Sequence, residues 1–330
     1  MGRLTVAVLI CSMLLCTAAA AQTLDRITAG GTVRIGYIAG QKPFAWAESG
    51  AGPQGYSIDL CNAVVDEIGR NLRGLRRVYV PVSLTEAFDA VAADQIDLLC
   101  GAISITLERR QKVDFSEPIF VTGMSAVLRK DSPRDLKELF TGERTISPPR
   151  SPELRPFATS KIGVRAASTT EVVLREAILQ GHYGAEVVAL DSHADGIAAL
   201  QARAIDAYFA DRALLIGAVA DAHDNDLVLS PRLLSHDFYG IAMKRGDADL
   251  RLLVDRTLSA YYAMPPTLAM MVGIMKMPAP IMLPATSMVA ENKPIWRVSE
   301  LMGVSRSLRQ SLGADLRLDF VGLAAEIFRC

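Results

Sequence analysis

Two α/β lobes in one chain are what this sequence predicts, on three observations. A rhythm of strand, helix, strand, helix, strand runs from Gly31 to Ile105. The same rhythm restarts at Lys161, after a stretch rich in proline and charge. The chain has 330 residues, half of them hydrophobic, which is enough for two cores.

In the first lobe, "GTVRIGYIAG" reads as a strand running into glycine, and "YSIDLCNAVVDEIG" as a helix whose apolar residues share a face and which stops at Gly69. "RRVYVPV" is a second strand. Ser83 and Glu86 form an S-x-x-E capping box for a helix that places Leu84, Ala87, Phe88 and Val91 on one side. "IDLLCGAISI" is a buried strand, and the order implies a mainly parallel sheet.

In the second lobe, strand "KIGVRAAS" leads to helix "TEVVLREAILQG", strand "AEVVAL", helix "HADGIAALQARA" and strand "IDAYFAD". The intervening "RDLKELFTGERTISPPRSPELRPFATS" reads as a surface insertion or linker. After "DFYGIAMKR", the helix "DADLRLLVDRTLSAYYA" carries Leu250, Leu253, Val254, Leu258 and Tyr261 on one side and packs on a lobe. From Met264 the chain is rich in methionine and proline. Prolines and Lys276 argue against a membrane span, and a packing or lid role is favoured over Cu(I) binding. No role for 264–330 can be read.

The N-terminus has one arginine, an uncharged, mostly apolar run from Leu4 to Leu15 and then small residues, the pattern of a secretory signal peptide cleaved after Ala21. Leu15 before Cys16 does not suit lipid attachment, so a free periplasmic protein is expected. Cys61, Cys100 and Cys330 then remain, which is no disulfide framework. Cys61 and Cys100 lie in apolar surroundings and read as small buried thiols, with a bridge between them possible. A net charge of −1 and few aromatics give no basic, ring-studded face, which sets nucleic acid aside.

No G-x-S-x-G, C-x-x-C, H-E-x-x-H or phosphate-cradling glycine loop is present, and the four histidines are scattered, so hydrolase, redox and zinc readings are weak. No cofactor or metal is implied. "SITLERRQKVDFSEPIF" is different. Ser104, Thr106 and Arg109 leave the end of a buried strand, where open α/β sheets place ligands, and a guanidinium there can hold a carboxylate through two parallel hydrogen bonds. Equally, Arg109 could be an exposed helix-start residue and Ser104 a cap.

These stretches, with "TEAFDAVAADQIDLLCGAISI", "KIGVRAASTTEVVL" and "IDAYFADRALL", resemble the bacterial extracellular solute-binding proteins of family 3, the periplasmic receptors of polar amino acid ABC transporters. The similarity runs from about Arg34 to Tyr262. It implies a two-lobed, type II periplasmic binding fold with a central cleft and hinge: lobe 1 from 24 to 122 with a return over 236–263, and lobe 2 from 123 to 235. By the resemblance, Arg109 clamps a ligand α-carboxylate with Ser104 and the backbone at Ala102, Thr106 nearby. Ser168 and Thr169 add donors, at a helix start that favours an anion in any case. Alternatively, Ser168 and Glu171 are a capping box only. Asp211 corresponds to the acid that pairs with the α-ammonium, or it is an ordinary cap for the helix beginning "RALL". Tyr239 lies where relatives cross between lobes and either touches the ligand or packs at the hinge.

The departures bear on the ligand. Gln41 stands where many relatives carry a stacking aromatic, Trp46 could compensate, and Ala167 replaces a common glycine. Arg165 lies near the pocket base; pointing inward, it would favour an acidic side chain. The resemblance implies a receptor, not an enzyme, capturing an amino acid, acidic or polar, for an inner-membrane permease, as a monomer. The rival readings are a cyclohexadienyl dehydratase-like enzyme, which needs a cleft carboxyl of raised pKa, and an accessory or sensor protein of a periplasmic system.

Overall fold

The computed structural model describes residues 22–263, except 49, 71, 142–159 and 182–183. The expected signal peptide, most of the expected linker, and the 264–330 extension lie outside the described residues. Among the described residues, no helix is long and apolar enough to cross a membrane.

The chain opens with α1 (Thr23–Gly30) and β1 (Thr32–Tyr37), then α2 (Tyr56–Gly69), β2 (Arg76–Pro81), α3 (Ala87–Ala92) and β3 (Leu98–Cys100). A 3-10 turn at Arg109–Gln111 precedes β4 (Val113–Phe115), β5 (Phe120–Thr122) and β6 (Met124–Arg129). Then follow α4 (Arg134–Thr141), β7 (Lys161–Arg165), α5 (Thr169–Gly181), β8 (Glu186–Leu190), α6 (His193–Gln201), β9 (Ala207–Asp211) and α7 (Arg212–Ala222). The return uses β10 (Leu227–Leu229), β11 (Asp237–Tyr239), β12 (Ala242–Lys244) and α8 (Ala248–Tyr262). The expected linker thus begins as a helix, α4.

Two five-stranded sheets result, in the orders β2-β1-β3-β12-β4 and β10-β6-β9-β7-β8. They are more mixed than the strand-helix rhythm predicts. In the first, β1 pairs parallel with β2 and β3, whereas β12 runs antiparallel between β3 and β4. In the second, β7 is parallel to β8 and β9, while β6 is antiparallel to β9 and β10. The antiparallel strands are those adjoining the crossings between lobes, where the chain arrives from the opposite direction.

Alternation of side chains puts a core on each face of each sheet. In β3, Leu98 and Cys100 face one core, with α2 and α8, while Leu99 faces the other, with α3. In β9, Ala207 and Phe209 face the side of α4 and α5, and Tyr208 and Ala210 the side of α6 and α7. Each fully buried Leu, Ile or Phe contributes roughly 1.5–3 kcal/mol.

Ser83 Oγ accepts the Glu86 N–H at 3.3 Å and donates to Glu86 Oε2 at 2.8 Å, but α3 starts only at Ala87 with Glu86 in the cap position and no side-chain capping hydrogen bond, so the expected reciprocal box is not formed there. Cys61 and Cys100 correct the expectation of buried thiols, because they are joined in a disulfide with Cα atoms 6.5 Å apart. Helix α2 lies directly over the end of β3, and Ser57 Oγ donates to Gly101 O in the same place, 2.9 Å. Both bonds tie α2 to the strand end from which Arg109 is launched.

The lobes are connected by β5 and β11, which run side by side as an antiparallel pair matching Phe120 with Tyr239 and Thr122 with Asp237. Gly123 ends the first crossing so close to the second that a Cβ on it would lie 1.9 Å from Ser235 O.

Candidate functional site

The first wall of the cleft is the segment after β3. Thr106 Oγ1 accepts the Arg109 N–H at 3.1 Å, which starts the 3-10 turn. That turn brings the Arg109 side chain back over the strand end, where Nη1 donates to Ser104 O at 2.8 Å and the guanidinium lies 4.7 Å from the centre of the Phe88 ring. The contact is a cation–π pair. Burial works to lower the Arg109 pKa, and Asp211 leads the charges that oppose it. Arg109 is therefore not an exposed helix-start residue; Arg110 is exposed, over Phe115.

The second wall is made by the strand ends of the other sheet. β9 ends at Asp211, which takes the position of the α7 cap but makes no capping hydrogen bond with its side chain. Instead one oxygen accepts the Tyr239 hydroxyl, and the other, Oδ1, is buried without a partner. Burial pushes the Asp211 carboxyl up to about 6, outweighing the hydrogen bond from Tyr239 and the charge of Arg109. β7 ends at Arg165, half-buried, with its pKa lowered by burial and no carboxylate in ion-pair range among the described residues.

After Arg165 the chain turns through Ala167, which takes a left-handed φ of 58° where glycine would be easier. Ser168 and Glu171 make the capping box: Ser168 Oγ accepts the Glu171 N–H at 3.1 Å, and Glu171 Oε2 accepts the Ala167 N–H at 2.8 Å. Thr169 and Thr170 are the first residues of α5, where amides have no intrahelical acceptor.

These walls meet around a cavity of about 30 Å³. Gln41, Leu84, Ala102, Ser104 and Arg109 line it from one lobe. From the other come Arg165, Ser168, Thr169, Thr170, His193, Ala210, Asp211 and Leu214. Ser104 and Thr169 span the gap, with hydroxyls 3.5 Å apart. Such a volume holds little more than a water. Two guanidiniums and one carboxylate converge on it.

Of the residues singled out from sequence, Arg109, Ser104, Ala102, Ser168, Thr169, Asp211, Arg165 and Gln41 come together on this cavity. Thr106 and Tyr239 do not line it; each holds a residue that does, Arg109 and Asp211. Gln41 is buried, and its Oε1 accepts the Ala102 N–H at 3.0 Å, so that amide is occupied by the chain itself. Trp46 lies outside the cavity.

His193 is the residue that sequence reasoning missed. It opens α6 behind the Ser192 cap, with Nδ1 2.9 Å from the Tyr208 hydroxyl and Nε2 buried without a partner. Burial, helped by Arg165, pushes its pKa down to about 3, which keeps the imidazole neutral. The signal was an S-H-x-D helix start at the edge of the second sheet, next to a strand end, rather than any histidine spacing. Among the described residues, no cluster of three His, Cys, Asp or Glu could hold a metal.

Residues 33–265 match the family described as bacterial extracellular solute-binding proteins, family 3. Among similar curated proteins, the glutamate/aspartate import solute-binding protein of Salmonella typhimurium is 26% identical over 246 residues, 73% of this chain and 75% of the relative. The cyclohexadienyl dehydratase of Pseudomonas aeruginosa is 30% identical over 104 residues, 32% of this chain and 37% of the relative. Among solved structures, the arginine-bound form of a truncated ArgBP from T. maritima aligns with a TM-score of 0.59 at 25% identity, covering 72% of this chain and 99% of that one.

Proposed function

This chain belongs to the bacterial extracellular solute-binding proteins, family 3, and on that premise we propose that it captures an acidic amino acid, of the glutamate and aspartate class, in the periplasm for an ABC permease. The observation that carries the reading is the placement of Arg165: a second guanidinium, with no acidic partner among the described residues, lines the same cavity as Arg109. Arg109 takes the α-carboxylate with the Ser104 hydroxyl. Asp211 takes the α-ammonium on its unpartnered oxygen. Arg165, with the neutral His193 beside it, takes the side-chain carboxylate, supported by the start of α5.

Charge balance favours this ligand over a basic one. Two cations and one anion on the walls complement a dicarboxylate with one ammonium, whereas an arginine ligand would bring a third guanidinium among them. The ligand bridges lobes, since Arg109 belongs to one and Arg165, Asp211 and the α5 start to the other. It therefore favours the form in which both walls touch it, by the difference in its affinity for the two forms.

Calorimetric titration of the mature protein with L-glutamate, L-aspartate, L-glutamine and L-arginine tests the reading. Binding of the two acidic amino acids above the others is expected. Tight binding of arginine with no response to glutamate or aspartate overturns it. One observation favours a second reading, a dehydratase: Asp211 is a cleft carboxyl whose pKa is raised to about 6, as acid–base work requires. Turnover of prephenate or arogenate by the purified protein decides between the two.

A further inference from the structure

Away from the ligand cavity, the loop carrying Lys42 and Trp46 in lobe 1 lies against α7 of lobe 2. Ala213 and Leu214, on the first turn of α7, are buried in the lobe 1 core beside Phe44 and Tyr239. One turn along, Gly217 meets the backbone of Lys42: a Cβ built on it would lie 2.5 Å from Lys42 O and 3.2 Å from the Lys42 Cβ. One turn further, Asp221 Oδ1 accepts from Lys42 Nζ at 3.0 Å, with the ammonium 5.9 Å from the centre of the Trp46 ring. Residues 213, 217 and 221 recur every four positions and so share one face of the helix. On that face the lobes press backbone to backbone, at the one residue without a side chain.

A mid-helix glycine is otherwise unfavourable, since glycine is the poorest helix former after proline. Its position here has a use when the lobes are together, because the three atoms nearest to a Cβ at 217 all belong to Lys42 of lobe 1. We infer that Gly217 and the Lys42–Asp221 pair form a closure seat, which sets ligand affinity without touching the ligand. The inference rests on the reading that capture brings the two lobes together. The seat contributes to the closed form only, so any side chain at 217 selectively disfavours that form. A Cβ clash with a backbone oxygen cannot be relieved by a rotamer change; the loop or the helix must shift.

The test compares wild type, Gly217→Ala, Gly217→Val and Asp221→Asn as full mature chains. L-Glutamate and L-aspartate affinities are read by calorimetry, ligand-free melting by calorimetry, and ligand-free hydrogen exchange in segments 40–48 and 213–222 by mass spectrometry. Gly217→Ala should weaken binding by roughly tenfold, Gly217→Val by more, with unchanged or higher melting temperature for Gly217→Ala. Asp221→Asn should weaken it by a few-fold, as befits an exposed ion pair. Faster exchange in both segments should accompany Gly217→Val. Equal affinity and equal exchange in wild type and both Gly217 variants overturn the seat. A wild type that binds neither amino acid, yet shows the exchange difference, overturns the acidic-ligand reading and upholds the seat.

Discussion

Tyr239 donates its hydroxyl to one oxygen of Asp211 across the boundary between the lobes, while the other oxygen of that carboxylate remains buried and unpartnered. The tyrosine orients the carboxylate but satisfies only part of it. What remains is an acceptor poised for a cation.

Asp211→Asn should therefore act in opposite senses on stability and on binding. It removes a buried, incompletely compensated charge, so the ligand-free protein should be more stable, measured by urea unfolding. It also leaves a ligand ammonium buried without a counter-charge, costing roughly 3–5 kcal/mol of binding in a titration. A variant that binds as tightly as wild type would remove Asp211 from the site.

The raised Asp211 pKa makes both quantities depend on pH. A carboxyl at about 6 in the folded chain and 3.8 when unexposed to such burial holds its proton more tightly when folded. Its contribution to ligand-free stability is full below about pH 4 and is lost as pH rises to about 6, in all about 3 kcal/mol. On the proposed pairing of Asp211 with the ligand ammonium, affinity should run the other way, level above about pH 6 and falling up to tenfold per unit below it, because the pair needs the ionised carboxylate. Tyr239→Phe removes the hydrogen bond that favours ionisation, so the midpoint should move upwards. Titrations at a series of pH values read the midpoint directly.

On the acidic-ligand reading, Arg165→Gln should separate the roles of the two ligand carboxylates. Loss of a charge-assisted pair of hydrogen bonds costs about 1.5–3 kcal/mol, so glutamate should bind ten- to a hundred-fold less tightly while glutamine changes little. Arg109→Ala should abolish binding of every amino acid. Competition between glutamate and glutamine in each variant measures the difference.

Replacing both Cys61 and Cys100 by serine should cost stability rather than ligand contacts. The bridge spans a sequence separation of 39 residues, and closing such a loop in the unfolded chain is worth about 4 kcal/mol on the chain-entropy account. The urea midpoint should fall accordingly, and reductant should reproduce the effect in the wild type.

Asp211 was legible because it ends β9, and Arg109 because it follows the segment that leaves the end of β3; the ends of strands in an α/β sheet converge. The Ser168 box was legible because capping is local in sequence. The disulfide was not, since pairing Cys61 with Cys100 depends on how α2 crosses β3, which no local pattern encodes. His193 was missed for the same reason: a single histidine at a helix start becomes a cavity residue only once Tyr208 and Arg165 are packed around it. Gln41 was visible as a departure from relatives, but its hold on the Ala102 amide needed the tertiary contact.

The crossings β5 and β11 are hydrogen-bonded to each other, with the Phe120 and Tyr239 rings stacked 6.0 Å apart on the ribbon. Two independent linkers would let the lobes swivel and splay as well as approach. A paired ribbon restricts such swivelling, because the two crossings move together. On the proposed reading, less orientational entropy should then be lost when a ligand bridges the two walls, and a larger share of the proposed contacts with Arg109, Arg165 and Asp211 should survive as net affinity.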